Sequence, residues 1–168
     1  MMTFSEHDHH RQVTAGFAVL TVSDTRSEES DESGNIAERL LVERGHRIMV
    51  REIVKNDEAA IRALIEELAR ESGIQVMLTL GGTGIGSRDV TVEAVSDLLD
   101  KRIDGFGELF RRLSYEEVGE AAMLSRAIAG TMGRKVIFCL PGSKNAVRLA
   151  LERLILPGLG HVLWEAGR

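Results

Sequence analysis

The chain has one cysteine among its 168 residues, Cys139, so no disulfide can form within it. Cys139 lies inside the apolar run Val136-Ile137-Phe138-Cys139-Leu140, where a small core residue is expected and not a nucleophile. Aromatic residues make up only 4% of the chain although 43% of it is apolar, so the core must be built from aliphatic side chains. No apolar stretch approaches the roughly 18 residues that a membrane-crossing helix needs. The first fourteen residues are polar and lack the apolar centre of a secretion signal. An excess of basic charge is missing too: the net charge of −5 argues against non-specific nucleic-acid binding, which needs a basic face. There is no internal repeat, linker or low-complexity segment. These absences predict one cytoplasmic domain in a reducing compartment, with neither membrane nor nucleic acid as a partner.

What is present is an alternation of short apolar runs and amphipathic stretches. Residues 1–14 hold His7, His9 and His10 around Asp8 and read as a flexible tail, because no further ligand lies near enough in sequence to complete a metal site. Residues 15–168 read as a single domain. Phe17 to Val22 begins the sheet and stops at Ser23-Asp24-Thr25. Ser33 is the expected cap of a helix carrying Ile36, Ala37, Leu40 and Leu41, which ends at Gly45. His46 to Val54 reads as a second strand, with His46 at its entry. Asn56 and Asp57 open a helix with Ile61, Leu64, Ile65 and Leu68 on one face. From Gly105 to about Ala129 the pattern is helical, with breaks expected near Ser114 and Gly119, and Gly130 to Gly133 reads as a turn or short hairpin. Val136 to Leu140 is a last buried strand, turned by Pro141-Gly142-Ser143 into a helix that Pro157 and Gly158 should break. Strands that are continuously apolar need cover on both faces. The fold class is therefore α/β: three layers, with helices on both faces of a mostly parallel sheet.

One stretch organises the rest: Val76-Met77-Leu78-Thr79-Leu80, then Gly81-Gly82-Thr83-Gly84-Ile85-Gly86-Ser87-Arg88-Asp89-Val90-Thr91. A buried strand, a glycine loop and a helix in succession place bare backbone N–H groups around an anion. A helix cap needs one polar residue, not four glycines followed by Ser, Arg, Asp and Thr. The loop does not end in Gly-Lys-Ser/Thr, so it is not a P-loop. Nor is it the dinucleotide fingerprint, because the acidic residue at the required distance, Asp104, sits at a helix start beside Gly105 and not at a strand end. A nicotinamide oxidoreductase is disfavoured for that reason. The Pro141-Gly142-Ser143 junction is a second place where a strand end meets a helix start, and the topology can bring both junctions to one sheet edge. Asp57 and Asp89 also lie where helices follow strands. Each alone suits a cap, but together with the glycine loop they become candidate functional carboxylates.

Gly-Gly-Thr-Gly-x-x-x-Arg-Asp-Val-Thr-x-Glu-Ala resembles the signature of the molybdopterin-binding family of molybdenum cofactor biosynthesis proteins. Three further stretches agree in order and spacing: Leu20 to Arg26, Gly105 to Glu108 followed by Leu124-Ser125-Arg126, and Leu140 to Lys144. The segment Gly105 to Gly119 is closer to the B branch than to the A branch. Val92 departs from the pattern, which commonly has proline there. The resemblance implies a fold of the molybdopterin-binding-domain type and ligand contacts at Ser23, Thr25, Gly81, Gly82, Thr83, Gly84, Arg88, Glu108, Ser125, Arg126, Pro141, Gly142 and Ser143. It implies ATP and molybdopterin as substrates, with Mg²⁺ held by Asp89 and Asp57 as the catalytic carboxylates and AMP transferred to the pterin's terminal phosphate. A non-catalytic carrier of molybdopterin or its precursor fits the same pocket. The resemblance also implies a homo-oligomer, trimer or hexamer, and a molybdenum-insertion protein as partner. An independent motive for the oligomer is the apolar load of residues 105 to 124, which one small domain has difficulty burying.

Overall fold

A computed structural model describes residues 13–168, so the histidines of the tail lie outside the described residues. The order of elements is β1 (Gly16–Val22), α1 (Glu32–Glu43), β2 (Arg47–Val54), α2 (Glu58–Leu68), β3 (Val76–Leu80), α3 (Thr91–Ser96), β4 (Lys101–Arg102), α4 (Asp104–Val118), β5 (Ile128–Met132), β6 (Lys135–Leu140), α5 (Lys144–Ala150) and α6 (Leu156–Gly167). The six strands form one sheet in the order β2-β1-β3-β6-β5-β4. The first four run parallel, and the β5–β6 hairpin and β4 add two antiparallel strands.

Alternate side chains of the central strands feed two separate hydrophobic cores. Phe17, Val19, Leu78 and Leu140 face α1, α4, α5 and α6, whose Leu41, Phe110, Val147 and Leu159 close that side. Ala18, Leu20, Met77 and Ile137 face α2 and α3, which contribute Ile61, Ile65, Ala94 and Val95. Every residue of β1 and β3 is buried, which is why both read as unbroken apolar runs. The protein is thus a three-layer α/β/α fold. Cys139 is wholly buried, and that burial pushes its thiol up to about 12, as expected of a core residue. His46 is structural: its Nδ1 accepts the Ala15 N–H at 3.2 Å, and burial, with Arg44 nearby, holds it below the usual imidazole value.

Several local expectations are corrected. Asp31, not Ser33, caps α1 by accepting the Gly34 N–H at 3.0 Å. Helix α4 passes Ser114 unbroken and ends only at Gly119, whose φ of 62° suits glycine. Residues 128 and 129 are strand and not helix, because they complete the sheet beside Phe138 and Cys139, and the hairpin expected over 130–133 is the turn end of β5 and β6. The two-residue β4 has no sequence signal of its own. Pro157 does not break the last helix. It follows a single π turn over 151–155 and occupies the first turn of α6, where a missing N–H costs nothing.

Candidate functional site

The sheet order puts β1 between β2 and β3, the strands reached from it on opposite sides, and ligands of open α/β sheets gather beyond the strand ends at such a point. Here the ends are in contact. Gly81 packs so closely on Val22 that an added Cβ would lie 2.6 Å from the Val22 carbonyl oxygen. A Cβ on Gly142 would lie 3.2 Å from the Gly81 Cα. The Gly81 N–H donates to the Leu140 carbonyl at 2.8 Å. The loops after β3 and β6 therefore lie side by side at one edge of the sheet.

The glycine loop can be accounted for group by group. The Gly81 carbonyl accepts from Thr91 Oγ1 at 2.8 Å, and the Gly82 carbonyl accepts from the Thr91 N–H at 3.1 Å. The Thr83 carbonyl accepts from the Arg126 N–H at 3.0 Å, and the Gly84 carbonyl from Arg126 Nε at 2.8 Å. Four consecutive carbonyls are thus taken by protein donors. In a trans peptide the N–H points opposite to the carbonyl, so the N–H groups of Gly82, Thr83, Gly84 and Ile85 turn away from Thr91 and Arg126. None of the four has an acceptor among the described residues. Gly81 and Gly82 adopt φ of 112° and 70°, which glycine alone tolerates freely. A side chain on Gly82 would also meet Thr91 Oγ1 at 2.1 Å. A run of unpartnered amides in a tight turn is an anion-binding concavity.

The second loop is gripped in the same way. The Gly142 carbonyl accepts from Ser33 Oγ at 2.6 Å and from Arg26 Nη1 at 3.2 Å, and the Ser143 N–H has no acceptor among the described residues. Ser143 Oγ caps α5 through the Ala146 N–H at 3.2 Å. Behind Arg26 stands Asp31, 0% exposed, which accepts from Thr21 Oγ1 at 2.8 Å and from Arg51 Nη2 at 3.2 Å.

Three carboxylates near the strand ends are each anchored by one oxygen. Asp24 Oδ1 accepts the Asn56 N–H at 2.9 Å, Asp57 Oδ1 the Ala60 N–H at 2.8 Å, and Asp89 Oδ2 the Gly86 N–H at 2.9 Å. Asp57 caps α2. Asp89 caps no helix, since α3 starts after Val90; its carboxylate folds back over the loop. The second oxygen of each has no partner among the described residues. No group of three or more histidine, cysteine, aspartate or glutamate side chains that could hold a metal occurs among those residues.

The remaining expected residues divide. Ser23 Oγ holds its own turn by accepting the Thr25 and Arg26 N–H groups at 3.2 and 3.0 Å. Pro141 is half-buried between β6 and Gly142, and Arg88 projects into solvent at the loop tip. Ser125 Oγ accepts the Ala127 N–H at 3.4 Å. Glu108 lies on the exposed side of α4, and no hydrogen bond joins it to the loops. Arg126 spends its guanidinium on Gly84, on the Asp89 carbonyl at 3.1 Å and on both oxygens of Glu93. That pairing holds Glu93 below the usual carboxylate range. Sequence reasoning passed over Glu93, Ser33, Asp24 and Asn56. Asn56 Oδ1 is buried without a donor among the described residues, beside the position a Gly82 Cβ would take. A signal was available for Asp24 and Asn56, since both sit at strand ends.

Residues 18–161 match the family model described as a probable molybdopterin binding domain. The molybdenum cofactor biosynthesis protein B of Bacillus cereus is 52% identical over 168 residues, 99% of each chain. That of Staphylococcus carnosus is 53% identical over 151 residues, 88% of each chain. Among solved structures, the tungsten cofactor synthesizing protein MoaB of Pyrococcus furiosus is 40% identical with a TM-score of 0.83, covering 92% of this chain and 98% of that one. With most of β1, the glycine loop and β6 inside the matched region, the chain belongs to the molybdopterin-binding-domain family of molybdenum cofactor biosynthesis proteins, among relatives of the B type.

Proposed function

We propose that the paired loops bind molybdopterin and ATP, and that the protein transfers AMP to the terminal phosphate of the pterin with release of pyrophosphate. The observation that carries this reading is the run of four loop amides without acceptors, their carbonyls held from behind. An ionised oxygen of the pterin's phosphate attacks the α-phosphorus of ATP, and the bond to pyrophosphate breaks as the new P–O bond forms. No proton acceptor is needed, because a phosphate nucleophile is already ionised at neutral pH. What the protein must do is hold two anions in line. The loop amides of residues 82–85 and of Ser143 are the groups proposed to hold them. Asp89 and Asp57 suit Mg²⁺, which takes one or two carboxylates and completes its shell with phosphate oxygens and water. Bound there, the ion would supply charge neutralisation across the phosphates. The product would pass to a molybdenum-insertion protein.

The test is pyrophosphate release from ATP in the presence of Mg²⁺ and molybdopterin. Release dependent on the pterin is expected. Pterin binding without release would make the protein a carrier of molybdopterin or its precursor.

The same reading includes a homo-oligomer, trimer or hexamer. Leu109, Val118, Met123 and Leu124 are 50%, 55%, 77% and 48% exposed on α4 and the turn after it, a load of apolar surface suited to cover by another copy. Light scattering should give three or six subunits, and a stable monomer at micromolar concentration would rule this out.

A further inference from the structure

The guanidinium of Arg126 meets two carbonyls and a carboxylate. Nε holds Gly84 O, Nη2 holds Asp89 O, and Nη1 and Nη2 together meet the two carboxylate oxygens of Glu93. Its own N–H holds Thr83 O at 3.0 Å. These contacts use four of the five guanidinium N–H groups, and the planar fork cannot turn toward an anion without releasing the loop. Glu93 has no claim on an anion either, since the charges are alike.

We infer that Arg126 and Glu93 are a positioning pair for the glycine loop. Arg126 acts by holding the Thr83 and Gly84 carbonyls inward, which turns the Gly84 and Ile85 N–H groups outward, and by tethering the backbone of Asp89. Glu93 fixes the plane of the guanidinium that does so. The inference rests on the reading of the loop as an anion site, and it assigns these two residues a role through the backbone and not through contact with ligand. The other half of the loop has a different support. The Gly82 and Thr83 amides are set by Thr91, which holds the Gly81 and Gly82 carbonyls, so the two halves can be disturbed separately.

The experiment is a titration of the full chain with inorganic phosphate, followed on the backbone amide resonances of Gly82, Thr83, Gly84 and Ile85. Thermal melting serves as the control for folding. Arg126→Lys keeps the charge but cannot span three acceptors. It keeps the main-chain N–H that holds the Thr83 carbonyl but loses the Nε that holds the Gly84 carbonyl, so it should displace the Ile85 resonance before any phosphate is added, leave those of Gly82 and Thr83 in place, and weaken phosphate binding about tenfold. Glu93→Gln gives a sign test. Removing a negative charge beside an anion site should tighten binding if only electrostatics matters, whereas loss of the positioning partner should weaken it, by about threefold or more. An undisplaced Ile85 amide in ligand-free Arg126→Lys, or phosphate binding by Glu93→Gln at least as tight as in the unaltered chain, overturns the positioning role while the anion site stands. Absence of any phosphate-induced shift in the unaltered chain removes the anion site, and this inference with it.

Discussion

The two loops at the sheet edge share a device and differ in what lies behind it. In each, an arginine and a hydroxyl residue grip carbonyls and leave amides bare: Arg126 and Thr91 for the glycine loop, Arg26 and Ser33 for the loop after β6. The carboxylate behind Arg126 is Glu93, half in solvent, whereas the carboxylate behind Arg26 is Asp31, fully buried and hydrogen-bonded to Thr21, Gly34 and Arg51. An exposed ion pair is weak and screened by salt. A buried carboxylate cannot lose its partners without leaving an uncompensated charge in the interior. The loop after β6 is thus tied into the core, and the glycine loop from Thr83 on is held at the surface by a clasp that solvent can reach, although its start is held by the buried Thr91.

The largest change should come from breaking the glycine loop itself. Gly82→Val places a β-branched side chain at φ 70°, within 2.1 Å of Thr91 Oγ1. Strain of about 1–3 kcal/mol is expected, and displacement of Thr91 frees both carbonyls that it holds. Phosphate binding at amides 82–85 should fall more than about a hundredfold, while the Ser143 amide should still respond in the same titration. Unchanged affinity would mean that the loop is not the site.

Next comes Asp89→Asn. The amide keeps an oxygen for the Gly86 N–H, so melting and subunit number should not change, but the charge beside the loop is lost. Adenylyl transfer, measured as pyrophosphate release, should drop at least about a hundredfold, near 2.7 kcal/mol. Full activity would leave Asp89 as a turn former only.

A difference of about 2 kcal/mol should separate the two clasps. Asp31→Ala should cost about 3 kcal/mol, since it strips partners from Thr21, Gly34 and Arg51; Glu93→Ala should cost less than about 1 kcal/mol. Denaturant melts would compare them, and equal losses would erase the distinction drawn here. Acid sharpens the same contrast. Arg126 depresses the titration of Glu93 in the folded chain, so the pair's contribution is complete above the ordinary glutamate value of about 4.3. It is lost as pH falls through the lower folded value. The stability gap between the unaltered chain and Glu93→Gln should therefore close only below about pH 4.

How much of this was legible in the sequence depended on how local the cause was. The strands β1, β3 and β6 announced themselves because burial on both faces makes them continuously apolar, and the glycine loop because its backbone conformation demands glycine. The clasps were not legible. Asp31 stands in the acidic stretch Glu28-Glu29-Ser30-Asp31-Glu32, whose composition alone suggests a solvated loop, and only the approach of Thr21 and Arg51 from other elements makes it a buried cap. Ser33 looked like a cap, and only the path of the chain 109 residues later gives it the Gly142 carbonyl. Strand β4 exists because Gly130 and Thr131 offer an edge to Lys101 and Arg102, which no periodicity over two residues can reveal. Pro157 misled because the π turn before it had already interrupted the helical ladder.

The contact between Gly81 and Gly142 has a mechanical consequence. Where two loops meet through side chains, a rotamer change can take up a small displacement of either one. Here backbone faces backbone, 3.2 Å from the nearest place a Cβ could stand, and glycine has no rotamer to turn. A close-packed contact of this kind passes a push on without damping it. Gly81 is itself held by the buried Thr91 hydroxyl, so a push passes through it to the half of the glycine loop that Arg126 fastens at the surface, from Thr83 on, and that half is the part that yields. The wall between the two loops behaves as a rigid stop, and the spring lies beyond it at Gly84.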